Sequence, residues 1–171
     1  MTTPIDVSLH ALNVKSLLAL LLVGVLPLLV TLGVTIWMND GRAPKGVTLF
    51  VLITAGLIAG LGVWQLASVR LKLDESSLTV GGGFYRMSVP LHQIEVGAQI
   101  ERAPSDALGM RTNGIGMPGL RLGWFDLQGG GKAFVAITDP EKVIRIPTEN
   151  GYTVLVSPDD PDAVIQQLRQ R

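Results

Sequence analysis

The side chains that most often carry catalysis or bind metals are few in this sequence. Cysteine is absent, and the two histidines, His10 and His92, lie far apart. The sequence contains no HExxH pair, no Walker-type phosphate loop and no serine elbow. It therefore predicts no enzyme, no catalytic residue, no metal site and no cofactor. The enzymatic alternative is a hydrolase built from scattered side chains, with Asp106, Asp126 and His92 as its candidates.

The glycine-rich stretch 109–123 brings together groups that could bind a ligand. Its guanidinium groups and backbone amides could hold an anion such as a lipid phosphate. Its glycines match a dinucleotide-binding loop only in spacing, because no strongly predicted helix follows them. They could instead shape a wide loop whose apolar residues tuck under a sheet, dip into a membrane surface or contact a protein. The candidate residues of this loop are Arg111, Asn113, Gly114, Gly116, Met117, Pro118, Gly119 and Arg121.

Two apolar stretches precede this region and determine where it can lie. Ser16 to Trp37 has 22 residues without a charge, and Gly46 to Val69 has 24. At about 1.5 Å per residue, a helix of either length covers the hydrocarbon core of a bilayer, which is roughly 30 Å thick. Both are longer than the apolar core of a signal peptide, and neither has the polar face of a soluble helix. The sequence predicts a multi-pass membrane protein with spans 16–37 and 46–69.

The polar turn 38–45 between the spans is short, so the two helices must be antiparallel neighbours in a hairpin. Gly56 and Gly60 form a GxxxG step, which lets helix backbones approach closely in lipid. This step could pack against the first helix of the same hairpin. It could also contact another subunit or a different membrane protein.

Basic residues near the ends of the spans predict the orientation of the hairpin. Lys15, Arg70 and Lys72 flank its terminal side, and Arg42 and Lys45 occupy the turn. The side with more Lys and Arg faces the cytoplasm. We therefore expect both termini and the domain after the second span to lie on the cytoplasmic side of the inner (plasma) membrane.

From residue 70 onward, long apolar runs give way to short segments of alternating polarity bounded by turn residues. This shift divides the chain into an N-terminal segment 1–15, a transmembrane hairpin 16–69 and a domain 70–171. The domain has eleven Lys or Arg against twelve Asp or Glu, a balance that argues against nucleic-acid binding. The predicted strands are Val69–Leu73, Ser77–Val80, Phe84–Val89, Glu95–Arg102, Leu120–Leu127, Lys132–Ile137, Lys142–Ile146 and Tyr152–Val156.

The regular spacing of these strands predicts a small sandwich, β-barrel or curved sheet of antiparallel strands. The last segment, Asp159–Arg171, has a different pattern, since Asp160 can cap a helix and Pro161 fits its first turn. The predicted fold class is therefore α+β: a two-helix transmembrane hairpin, then a sheet domain that ends in a C-terminal helix.

Four segments of the domain make this prediction more specific: RTNGIGMPGLRLGWF at 111–125, FVAITD at 134–139, VIRIP at 143–147 and GYTVLVSP at 151–158. Together they resemble the bacterial PH-domain family, in which a pleckstrin-homology-like (PH-like) domain follows membrane helices. The resemblance covers residues 70–171, and TNGIGMPG is its most specific part. It implies a fold and a membrane context, and it does not imply an activity.

Besides the hydrolase, these observations lead to one main hypothesis and one alternative. The main hypothesis is a membrane-anchored, non-catalytic PH-like module that binds a protein partner, a second copy of itself as a homo-oligomer, or the lipid surface. The alternative is an accessory or regulatory subunit of a membrane transporter or envelope enzyme, which would act through Gly56 and Gly60 in its spans. Both hypotheses share the lipid bilayer as a partner, and neither involves nucleic acid.

Overall fold

A computed structural model of the chain describes residues 5–95, 100–103 and 108–170. Two long apolar helices are inserted between the first and second strands of a β-rich domain, which ends in a short helix. The predicted α+β fold class is therefore confirmed.

The first apolar helix, Val14–Met38, has three consecutive parts. These are α1 (Val14–Ala19), a π-helical segment (Leu20–Val25) and α2 (Leu26–Met38). The second apolar helix is α3 (Lys45–Ala67). Both are long enough and apolar enough to cross a membrane, and their positions agree with the two predicted spans.

Glycines set the distance between the two apolar helices. A Cβ atom at Gly62 would lie 2.6 Å from Cδ1 of Leu20, and one at Gly24 would lie 2.9 Å from Cγ2 of Ile58. Real Cβ atoms do not come that close to other heavy atoms, so a larger residue at either position would force Leu20 or Ile58 to move. The hairpin is therefore packed through Gly24 and Gly62.

Four antiparallel strands form the first sheet. In spatial order they are β1 (Ile5–Ser8), β2 (Arg70–Leu73), β3 (Ser77–Gly82) and β4 (Tyr85–Pro90). Although β1 precedes the first apolar helix, it pairs with β2 after the second one. The segment 1–15, which we expected to lie outside the domain, thus supplies an edge strand. The prediction missed β1 because four residues carry too little periodicity to indicate a strand.

Six strands form the second sheet. They are β5 (Glu101–Arg102), β6 (Leu108–Met117), β7 (Leu120–Leu127), β8 (Lys132–Ile137), β9 (Ile144–Pro147) and β10 (Tyr152–Val156). Their spatial order is β5-β9-β10-β8-β7-β6. Strands β8 and β10 are parallel, which departs from the antiparallel sheet predicted, because alternation along a strand does not encode its direction. Of the predicted strand Glu95–Arg102, residues 96–99 lie outside the described residues.

The main core of the domain lies between the two sheets and is closed by α4 (Pro161–Arg169). Val164, Ile165 and Leu168 of α4 pack into this core, which confirms the predicted C-terminal helix. Leu9, which precedes the first apolar helix, belongs to the same core and is only 1% exposed. The core therefore includes residues from both sides of the apolar hairpin.

Polar contacts fix the start of α4. The Asp160 side chain caps the helix by accepting a hydrogen bond of 3.0 Å from the Ala163 amide. The Asp162 carboxylate accepts a hydrogen bond of 2.7 Å from Arg102 in β5, and this bond raises the pKa of Arg102. Helix α4 is thus attached to the edge of the second sheet as well as to the core.

Candidate functional site

A smaller apolar cluster covers the outer face of the second sheet, on the side away from the main core. Arg121 in β7 pairs with Ile137 in β8, so the two residues point to the same face. Because Ile137 belongs to the outer cluster, Arg121 also lies on the outer face. The cluster consists of Leu108, Phe125, Ala133, Val135, Ile137, Val143 and Leu155.

The glycine-rich stretch forms a β-hairpin rather than the predicted wide loop. Strands β6 and β7 pair from Leu108–Leu127 to Met117–Leu120, and only Pro118 and Gly119, the hairpin tip, lie between them. Gly119 has a φ of +83°, which glycine adopts without strain. A Pro-Gly pair between alternating segments is a turn signal, so the sequence did contain evidence for this hairpin.

The hairpin brings Arg111 and Arg121 together. Gly116 in β6 pairs with Arg121 in β7. The Arg111 side chain lies over Gly116, since a Cβ atom at Gly116 would be 3.3 Å from Nη1 of Arg111. The two guanidinium-bearing residues are therefore neighbours on the outer face, as the anion-binding hypothesis requires.

The hairpin tip contacts the start of the first apolar helix. Asn13 caps that helix by accepting a hydrogen bond of 3.0 Å from the Ser16 amide, and its Nδ2 donates to the Gly119 carbonyl at 3.1 Å. A Cβ atom at Gly119 would be 3.1 Å from Cβ of Lys15, so Lys15 also lies beside the tip. Asn13 thus joins two segments that are 106 positions apart in the chain.

A cavity of about 1300 Å³ lies between the hairpin, the start of the first apolar helix and the segment after β8. We call it the charged cavity, because its lining carries three basic and two acidic side chains around an apolar floor. The charged residues are Lys15, Arg111, Arg121, Asp139 and Glu141. The floor is formed by Leu108, Phe125 and Ile137 of the outer cluster.

Several charges in this cavity are not neutralised by one another. Within the described part of the chain, neither Lys15 nor Arg111 forms an ion pair within 4.0 Å. The Glu141 carboxylate likewise forms no ion pair with a basic residue in the described part of the chain. Asp139 Oδ1 accepts a hydrogen bond of 3.0 Å from the Glu141 amide. The cavity can therefore offer charge of both signs to a ligand.

A second polar side chain attaches the domain to the other apolar helix. Gln65, in the last turn of α3, is 5% exposed. Its Nε2 donates to the Gly82 carbonyl at 2.8 Å, and its Oε1 accepts from the Phe84 amide at 2.9 Å. The rings of Phe84 and Trp64 form a T-shaped contact, with ring centroids 5.4 Å apart. Sequence reasoning missed the roles of Gln65 and Asn13, although a glutamine inside an apolar helix was a visible signal.

Comparison with family models identifies the domain. A model described as Bacterial PH domain matches residues 69–171. The chain belongs to this family. The match covers β2 to α4, so β1 and the two apolar helices lie outside it. A comparison with curated proteins and one with solved structures each found no match.

The PH domain places the other predicted site residues in different surroundings. Met117, Pro118 and Gly119 line the charged cavity together with the two arginines. Asn113, in contrast, accepts a hydrogen bond of 3.3 Å from the Tyr85 hydroxyl and is not among the lining residues. Gly114 faces Gly123 in the partner strand, where both glycines have positive φ. These glycines allow the two strands to approach closely and do not line the cavity.

Gly56 and Gly60 do not take part in the packing of the helical hairpin. A Cβ atom at either position would have no heavy atom within 4 Å, whereas Gly62 on the same helix faces Leu20. Both glycines are exposed on the side of α3 that is turned away from the first apolar helix. The GxxxG step therefore leaves an open surface on the hairpin.

Two of the three candidates for a hydrolase site, His92 and Asp126, lie on different elements of the domain. His92 is exposed in the short turn Leu91–Gln93 after β4, and Asp126 lies in β7 beside Lys132. Asp106 lies outside the described residues. Among the described residues, no group of three His, Cys, Asp or Glu has the arrangement of a metal site.

Proposed function

We propose that this protein is a two-span membrane protein whose non-catalytic PH domain binds the headgroup phosphate of a bilayer lipid. The observation that carries the proposal is the charged cavity, in which Lys15, Arg111 and Arg121 surround a space next to the start of an apolar helix. The domain would lie on the cytoplasmic side of the inner (plasma) membrane, as the basic residues at the helix ends predict.

The two attachments support this placement. Asn13 begins the first apolar helix and Gln65 ends the second, and both bond to the PH domain. If the helices span a bilayer, both contacts lie at the same membrane surface. Lys15 is in the first turn of its helix, so the cavity opens at the level of the lipid headgroups. Arginine side chains bind phosphate through paired hydrogen bonds, which makes this lining suitable for a headgroup.

Charge reversal in the cavity tests this function. We expect the double variant Arg111→Glu, Arg121→Glu to bind phospholipid at least tenfold more weakly than the wild type. The expected loss of about 1.4 kcal/mol or more corresponds to a charged hydrogen bond to phosphate. Native mass spectrometry of the full-length protein in mild detergent would count the lipids retained by each variant.

The matched control is Arg86→Glu, Arg145→Glu, which makes the same charge change at two exposed arginines outside the cavity. This control should retain lipid like the wild type. Thermal unfolding of both variants would verify that the domain remains folded. If the double variant does not fold, the single variant Arg111→Glu replaces it in the binding measurement. Equal lipid retention in the cavity variant and the control would contradict the proposal.

A contact through the apolar helices is the second candidate function, because Gly56 and Gly60 leave an open face on α3. Such a face suits a second copy of the chain or a membrane enzyme or transporter. We expect Gly60→Ile to abolish co-purification of that partner while the hairpin stays intact. Gly62→Ile should disrupt the hairpin itself, since Leu20 occupies the space. Crosslinking in membranes would measure the contact with the partner and the contact within the hairpin in each variant. An unchanged crosslink to the partner in Gly60→Ile would exclude the open face of α3 as the contact.

A further inference from the structure

We infer that the charged cavity selects a lipid whose headgroup carries both a phosphate and a primary ammonium group, that is, an aminoethyl phosphate headgroup such as that of phosphatidylethanolamine. This inference rests on the proposed function and names the ligand class of the same site. It depends on where the five charged side chains lie around the cavity. It also depends on four of them, Lys15, Arg111, Asp139 and Glu141, forming no ion pair within the described residues.

The basic groups lie on the side of the hairpin. Arg111 lies over β6, Arg121 is in β7, and Lys15 is next to the hairpin tip. A phosphate on this side would be within reach of two guanidinium groups and one ammonium group, all of which are hydrogen-bond donors. The phosphate of the ligand therefore belongs on the hairpin side.

The acidic groups lie on the opposite side. Arg121 pairs with Ile137 at the end of β8, so Asp139 and Glu141, which follow that strand, lie on the side of β7 away from β6. The distance from β6 to β8 is two strand spacings, roughly 10 Å. Arg111 and Glu141 have long side chains that can extend toward each other across this distance, as a phosphate joined to an ammonium group through two carbons requires.

The lining discriminates among the common headgroups by charge. A purely anionic headgroup, such as phosphoglycerol, would leave the Glu141 carboxylate beside a second negative charge. A primary ammonium can donate hydrogen bonds to Asp139 and Glu141, whereas the trimethylated nitrogen of choline has no hydrogen to donate. Choline is usually bound by aromatic cages, and Phe125, the aromatic residue among the described lining residues, is only 5% exposed.

The position of the cavity favours a lipid over a free phosphoamine. Val14 lines the cavity, begins the first apolar helix and is 72% exposed. Leu18 and Leu21 continue as exposed apolar side chains farther along this helix. The acyl chains of a bound lipid could follow this path while the headgroup occupies the cavity.

The test compares lipids with identical acyl chains on the full-length protein in detergent. We expect short-chain phosphatidylethanolamine to bind at least tenfold more tightly than phosphatidylglycerol or phosphatidylcholine, as measured by microscale thermophoresis. The variant Glu141→Gln should lose most of this preference and bind phosphatidylglycerol at least as well as the wild type does. Glu149→Gln, an exposed carboxylate outside the cavity, is the matched control and should keep the preference.

Three results would overturn the inference, and they differ in what they mean for the proposed function. If wild-type protein binds phosphatidylglycerol as tightly as phosphatidylethanolamine, and Arg111→Glu weakens both, the headgroup assignment fails while phosphate binding stands. If Arg111→Glu changes the affinity for neither lipid, both proposals fail. If soluble phosphoethanolamine binds as tightly as the lipid, the ligand is a free phosphoamine and the lipid assignment fails.

Discussion

Replacing Leu9 by alanine in the full-length protein will lower the free energy of unfolding of the PH domain by about 2–5 kcal/mol, the usual cost of removing a buried leucine side chain. Leu9 is 1% exposed and packs in the main core between the two sheets. Its amide donates to the Val69 carbonyl, and its carbonyl accepts a hydrogen bond from Thr138. The residue therefore connects the N-terminal segment to both sheets.

Leu12→Ala is the matched control for this prediction. Leu12 is 47% exposed and lies three residues farther along the same segment, so its replacement should change the unfolding free energy little. Chemical unfolding in mild detergent, followed by tryptophan fluorescence, would measure both variants. Equal stability of the two variants would mean that the N-terminal segment is not part of the core.

The largest effect on the attachment of the domain is expected for Gln65→Leu. This change keeps the size of the side chain but removes the hydrogen bonds to the Gly82 carbonyl and the Phe84 amide. A buried polar group that loses its partner costs about 1–3 kcal/mol. We expect the β3–β4 turn to separate from the end of α3 and the Phe84 amide to exchange its hydrogen at least tenfold faster.

Gln166→Leu is the control, because Gln166 is exposed on α4 and the same substitution there removes no buried hydrogen bond. Hydrogen exchange measured by mass spectrometry on peptides that contain residues 82–85 would follow the turn in both proteins. An unchanged exchange rate in Gln65→Leu would show that the glutamine does not hold the domain.

Together, the two attachments limit how the PH domain can move relative to the apolar helices. Asn13 holds the hairpin tip at the start of one helix, and Gln65 holds the β3–β4 turn at the end of the other. A domain on a flexible linker could sample many orientations, whereas two separate contacts fix one face toward the helices. This is why the charged cavity has a defined position next to the first helix.

Much of the fold followed from local patterns in the sequence. The apolar stretches predicted both helices, because a run of more than twenty uncharged residues has few other stable arrangements. Most strands of the domain and the helix after Asp160 followed from alternation and capping residues, but β6 was predicted to be a loop. The resemblance to bacterial PH domains rested on the same region, which the family model matches.

The candidate site was predictable only in part. Arg111 and Arg121 could be grouped in one candidate site because both lie in one glycine-rich stretch, and the structure places them side by side. Asp139 and Glu141 join the cavity because β8, which they follow, pairs with β7. Lys15 comes from a distant segment and reaches the hairpin tip because the apolar hairpin is inserted between β1 and β2, which no local pattern indicates.

The sequence by itself determined the apolar hairpin, the β-rich domain and its C-terminal helix, because hydrophobic periodicity reports which faces of a local segment must be buried. Only the tertiary structure decided that the N-terminal strand belongs to the domain and that Asn13 and Gln65 attach the domain to the apolar helices. It also decided that a cavity with charges of both signs lies between the domain and the start of the first apolar helix. Each of these features joins residues distant in the chain, and such contacts are set by how whole elements pack rather than by any one segment.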